Sequence, residues 1–93
     1  MTTHKLVTVI TEAAVESALL RDLEAAGAPA WTVSDARGRG RRGRRSGAWD
    51  ASGNIRVEMV CDQAAASTII DLVKGRYGRD YALFLFVSDV TVP

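Results

Sequence analysis

The chain has 93 residues, 47% of them hydrophobic and 25% charged, with a net charge of +1 and a single cysteine. That length makes one domain with a modest core, for which association between copies is a ready source of added stability. The near-neutral balance argues against a general nucleic-acid surface, which makes a whole domain basic, and the lone Cys61 excludes an internal disulfide.

Residues 5–11 read K-L-V-T-V-I-T, β-branched and of strand length. Thr11 is placed to cap a helix, with Glu12 at the positive end of the dipole. Strong helix formers run from Glu12 to Ala26, and Val15, Ala18, Leu19, Leu23 and Ala26 fall on one apolar stripe. Gly27 supplies the stop. Residues 30–36 predict a second strand, with Trp31 and Val33 on one face and Thr32 and Ser34 on the other. A third strand is expected at residues 54–61, where Ile55, Val57, Met59 and Cys61 alternate with Arg56 and Glu58. Asp62 is a good cap for a second helix from Gln63 to about Lys74, with Ala66, Ile69, Ile70 and Val73 as its stripe; the run Gly75-Arg76-Tyr77-Gly78 is expected to break it. Residues 81–92 predict a fourth strand, so apolar at 82–87 that burial on both faces is expected.

The order βαββαβ folds most simply as a ferredoxin-like split βαβ: an α+β domain with a four-stranded antiparallel sheet and both helices on one face. The bare face of such a sheet needs cover. Strands two and three are joined by about seventeen residues, 37–53, and so long a connection without structure of its own is usually functional or disordered.

Within it, residues 37–45 read R-G-R-G-R-R-G-R-R, half the Lys and Arg of the chain. Glycines disfavour regular structure and the arginines repel one another. The expectation is a flexible loop whose order depends on an anion. Glycine lets backbone N–H groups approach a phosphate, and each guanidinium offers a planar fork of donors. A solvated surface loop with no ligand is the plainer alternative.

At these residues the chain resembles the PII signalling proteins, trimeric ferredoxin-like sensors with a long T-loop between strands two and three. T-V-S-D-A-R-G-R-G-R-R, residues 32–42, is similar to the family's T-V-x-[DE]-x-x-G-x-G run, and I-R-V-E-M-V-C-D, residues 55–62, to its third strand and the entry to its second helix. Arg42 stands at the standard glutamine position, the loop has no tyrosine for uridylylation, and residues 75–80 are shorter than the usual nucleotide-clamping B-loop. Gly38, Gly40, Arg42 and Arg45 match the G-x-G-x-R-x-x-R of the PII-like branch linked to inorganic carbon, the SbtB and carboxysome-associated (CPII) proteins. The C-G-P-x-G-C hairpin of many SbtB proteins is not among the 93 residues, so CPII is the nearer likeness.

The resemblance implies one PII-like domain over residues 1–93, assembled as a homotrimer, with the T-loop at about 37–53. It also implies an adenine nucleotide, ADP or AMP, in each cleft between subunits, with bicarbonate as a second ligand. Gly38 and Gly40 would cradle phosphate, and Arg42 and Arg45 would contact it. Thr32 matches a position near the base of the nucleotide. Arg76, Tyr77 and Arg79 fall at the shortened B-loop and could close over a neighbouring subunit's ligand, although Tyr77 could equally be helix-end packing. Arg39, Arg41 and Arg44, with Arg37, could face bicarbonate, a partner or water. The implied target is a bicarbonate transporter or another carbon-uptake protein, in the cytoplasm and associated with carboxysomes. No signal peptide and no membrane-length apolar run points elsewhere.

No catalytic constellation can be assembled around a single histidine, and no enzyme is expected. His4 lacks companions at metal-ligand spacing, so no metal or cofactor is expected either. Cys61 reads as a small core residue. The rival reading is an RNA-binding domain using the Arg/Gly loop, with Trp49, and less so Trp31, as a stacking platform. Against it, the strands lack the aromatic pattern of RNA-recognition sheets.

Overall fold

The computed structural model describes residues 1–38 and 53–93. Four strands, β1 (Thr2–Glu12), β2 (Thr32–Ala36), β3 (Asn54–Cys61) and β4 (Leu83–Val92), form one antiparallel sheet in the order β2-β3-β1-β4. Two helices, α1 (Glu16–Ala25) and α2 (Gln63–Tyr77), complete the ferredoxin-like arrangement expected from the element order.

β3 and its cap follow the sequence reading closely. Ile55, Val57, Met59 and Cys61 are buried while Arg56 and Val60 are exposed, and the Ala65 N–H donates to the Asp62 carboxylate at 2.8 Å. α1 ends as Gly27 suggests. At φ +92 this glycine lets its own N–H reach the Glu24 carbonyl (3.1 Å) and the Ala28 N–H reach the Leu23 carbonyl (3.0 Å), a Schellman turn. The core joins the two helix stripes, Val15, Leu19 and Leu23 with Ala66, Ile69 and Val73, to Val7, Val9, Ile55, Val57 and Met59 of the sheet.

Several expectations need correction. β1 runs from Thr2 to Glu12 rather than over residues 5–11, because β4 pairs with it back to Thr2 and β3 pairs with it on to Glu12. Thr11 therefore caps no helix. A 3-10 turn, Ala13–Val15, follows the strand, and α1 starts at Glu16 without a side-chain cap. Ala18 is exposed, and Leu20 packs on the core in its place. β2 begins at Thr32, leaving Trp31 just before it, half-buried against the core. α2 passes through Gly75 and stops at Gly78, where an added Cβ would lie 2.6 Å from the Lys74 carbonyl oxygen. β4 starts at Leu83 and lies at the edge of the sheet. In the single chain the helices cover only one of its faces, so Phe84 and Phe86 are 39% and 38% exposed rather than buried.

Candidate functional site

The register brings four chain segments to one end of the sheet. Ala36 at the end of β2 pairs with Asn54 at the start of β3, Asn54 pairs with Glu12 at the end of β1, and neighbouring Thr11 pairs with Leu83 at the start of β4. The two loops singled out in the sequence thus open at the same end. The long connection leaves β2 through Arg37 and Gly38 and returns through Gly53, and residues 78–82 lead into β4.

Three consecutive residues, from the end of β1 into the turn that follows, hold this end together. The buried Thr11 hydroxyl donates to the Ala82 carbonyl at 2.7 Å, and the Ala82 N–H donates to the Glu12 carboxylate at 2.7 Å. The Ala13 N–H donates to the Gly53 carbonyl at 3.1 Å. Gly53 has φ +75, a conformation suited to glycine, so its carbonyl is presented by a turn that other residues would strain.

The second fastening joins the helices. The Tyr77 hydroxyl donates to one oxygen of Asp22 at 2.6 Å, and Arg76 Nη1 approaches the other at 2.8 Å. The Tyr77 bond, aided by Arg76 and opposed by burial, lowers the Asp22 carboxyl below its ordinary value. Burial, and then the bond to the Asp22 carboxylate, push the Tyr77 phenol up to about 12. Tyr77 is only 7% exposed and packs its ring near Tyr81, which is the helix-end packing that the sequence left open. Arg76 keeps 61% of its side chain in solvent. Such a pair contributes about 1 kcal/mol or less, so a competing anion can draw the guanidinium away.

Of the candidate residues, the fold brings Gly38, Arg76, Tyr77 and Arg79 toward the loop end. Thr32 sits four residues back along β2, about 13 Å from Ala36 at strand rise, exposed and opposite Glu58. Gly40, Arg42 and Arg45, the anion candidates Arg39, Arg41 and Arg44, and Trp49 lie outside the described residues. Sequence reasoning missed Thr11 and Glu12 as members of this end, and Asp22 as the partner of Tyr77 and Arg76. Their partners are 71, 70 and 55 residues away, and no local pattern signals them.

The sheet face turned away from the helices carries Leu6, Thr8 and Ile10 of β1, Arg56, Glu58 and Val60 of β3, and Phe84 and Phe86 of β4. Phe84 and Phe86 sit 5.5 Å apart between ring centroids. The Thr8 hydroxyl is fully buried and has no hydrogen-bond partner among the described residues. The open faces of β1 and β3 have no Phe, Tyr or Trp, whereas RNA-recognition sheets stack bases on such residues.

A small antiparallel βαββαβ domain whose long β2–β3 connection leaves and returns at the sheet end where the α2–β4 turn enters is the architecture of a PII-type protein. The profile of the nitrogen regulatory protein P-II family matches residues 4–93, and the chain belongs to that family. Among solved structures, a PII-like signalling protein of Thermus thermophilus is 34% identical, over 98% of this chain and 90% of that one, with a TM-score of 0.82. CPII from Thiomonas intermedia, solved with ADP, AMP and acetate, superposes with a TM-score of 0.83 at 15% identity, over 98% of this chain and 89% of that one. The same CPII with ADP and bicarbonate gives 0.82 at 17% identity over the same shares. At those identities the CPII likeness is one of fold. No curated protein matches the chain. Among the described residues no helix is long and apolar enough to cross a membrane.

Proposed function

We propose that this P-II family chain is a non-enzymatic, PII-like sensor that binds an adenine nucleotide, ADP or AMP, at the loop end of the sheet, in clefts between the subunits of a homotrimer. The observation that carries the reading is the convergence of Gly38, Gly53 and residues 78–82 at one sheet end. Two loops whose bases lie at one sheet end can hold opposite sides of one ligand. The half-apolar open face, with Phe84, Phe86 and Val60 exposed, supports association as the source of the cleft's second wall.

In this reading residues 1–93 form one domain with its T-loop at about 37–53. Backbone N–H groups at Gly38 and Gly40 cradle phosphate, and Arg42 and Arg45 contribute charge-assisted bonds. Arg76 and Arg79 approach from the B-loop side, with Tyr77 holding the helix end from which they project. Thr32 lies toward the base moiety. Arg39, Arg41 and Arg44 offer a second anion, bicarbonate, a place beside the first. Six arginines in nine residues repel one another within a Debye length of about 8 Å. Phosphate relieves that repulsion, so ligand binding sets the face that residues 37–53 present to a target. The match of Gly38, Gly40, Arg42 and Arg45 to the G-x-G-x-R-x-x-R pattern is the ground for assigning the chain to the inorganic-carbon branch, whose member CPII, alike in fold, is solved with ADP, AMP and bicarbonate. The target is then a bicarbonate transporter or another carbon-uptake protein, met in the cytoplasm or at the carboxysome.

Calorimetry with AMP, ADP, ATP, cyclic AMP and GDP, each with and without bicarbonate, tests the reading. Saturable adenylate binding that GDP does not reproduce is expected, and Arg42→Ala or Arg45→Ala should weaken it by about 1–3 kcal/mol. Equal heats for ADP and GDP, or none with either, would overturn it.

A further inference from the structure

Ala82 is gripped through both of its backbone groups by side chains of one strand end. Its carbonyl accepts from Thr11 and its N–H donates to Glu12, both at 2.7 Å. Glu12 is also the last residue of β1, paired with Asn54, and the next N–H in the chain, that of Ala13, holds the Gly53 carbonyl. The two loop bases therefore meet in one stretch of three residues. The Glu12 side chain and the Glu12–Ala13 peptide share one Cα, so a shift of Ala82 that the side-chain torsions do not absorb is passed to the peptide whose N–H holds Gly53.

The bond between Glu12 and Ala82 runs from a neutral amide to a carboxylate, and charge-assisted bonds of this kind are the stronger class. Glu12 is half-buried, which shields the bond from competing water. A glutamate at the start of an expected helix would normally face solvent near the dipole. Here β1 continues through Glu12, and the side chain turns across to the neighbouring strand's entry.

We infer that Glu12, with Thr11, is a positioning residue of the nucleotide site that couples the α2–β4 segment (residues 78–82) to the start of β3, so that a ligand held on one side alters the other. This rests on the adenylate reading for the identity of the ligand, but the coupling itself is a property of the ligand-free chain.

The experiment uses the full chain with Glu12→Ala, Glu12→Gln and Thr11→Val. Amide exchange followed by NMR without ligand is the first readout. Glu12→Ala should speed exchange at Ala82 and also at Ala13 and Asn54, across the joint. Glu12→Gln, whose amide oxygen still accepts the Ala82 N–H, should restore slow exchange at all three. Thr11→Val removes the other grip with little change of volume, and should act in the direction of Glu12→Ala; it also decides the matter if Glu12→Ala does not fold. ADP titration is the second readout. Affinity should fall about tenfold in Glu12→Ala, the equivalent of one bond to a charged acceptor, and recover in part in Glu12→Gln, whose neutral oxygen makes the weaker class of bond. Exchange changes confined to Ala82, or Glu12→Gln behaving as Glu12→Ala, would overturn the coupling. A parent chain that fails to bind ADP while the exchange pattern appears as described would instead count against the ligand assignment.

Discussion

The two faces of the sheet are built from the same strands and have opposite fates. On the helix side Val7, Val9, Ile55, Val57 and Met59 are at most 1% exposed. On the other side Val60, Phe84 and Phe86 remain 38–40% exposed. Strand alternation gives both faces side chains fit for burial, and only one is covered by the described residues. The covered face makes the fold. The open face, apolar toward β4 and bearing the Arg56–Glu58 pair on β3, has the mixed character of an interface between copies.

Substitutions can break or sharpen that contrast. The largest stability loss is expected on the covered side. Ile69, fully buried in α2, should on replacement by alanine lower unfolding free energy by about 2–5 kcal/mol in urea titrations.

Tyr77→Phe should lower stability by less, about 1–3 kcal/mol, because it leaves the Asp22 carboxylate with Arg76 alone. Its pH signature is specific. Because the folded-state phenol is raised from 10 to about 12, the hydroxyl's contribution is whole below pH 10 and is lost as pH rises through 12. Asp22, lowered from 3.8, acts in the opposite sense. Its contribution is present above that value and lost as pH falls below it. Tyr77→Phe should flatten the alkaline decline and soften the acid one. Thermal unfolding at a series of pH values checks both, and an unchanged alkaline limb would contradict the Tyr77–Asp22 assignment.

The smallest effect belongs to the open face. Thr8→Val removes a buried hydroxyl that lacks a partner and should raise stability by about 1 kcal/mol. A drop in the unfolding midpoint would mean that the hydroxyl finds its partner across the assembled face.

What the sequence conveyed was local. The bounds of β3, its inward-facing residues, the Asp62 cap and the Gly27 turn each rest on a few adjacent positions, and the element order carried the fold. The readings that failed depend on distant neighbours. β1 outran its β-branched centre because two strands pair with it. α2 passed through Gly75 because Tyr77 is anchored on α1 by Asp22. The apolar run of β4 looked like a central strand, since the sequence does not display its place at the edge. At the loop end, the glycines and arginines were visible as a pattern, whereas the Thr11 and Glu12 grips on Ala82 join residues 71 and 70 positions apart and could be seen only once folded.

The central claim is that the open face assembles the chain and that assembly completes the nucleotide site. Sedimentation of the parent and of Phe86→Glu, each with and without ADP and with circular dichroism to confirm folding, tests it most directly. The parent should sediment as three chains and carry ADP, while the folded variant, its open face now charged, should sediment as one chain and carry none. A monomeric parent, or a monomeric Phe86→Glu that binds ADP as tightly as the parent, would contradict the account.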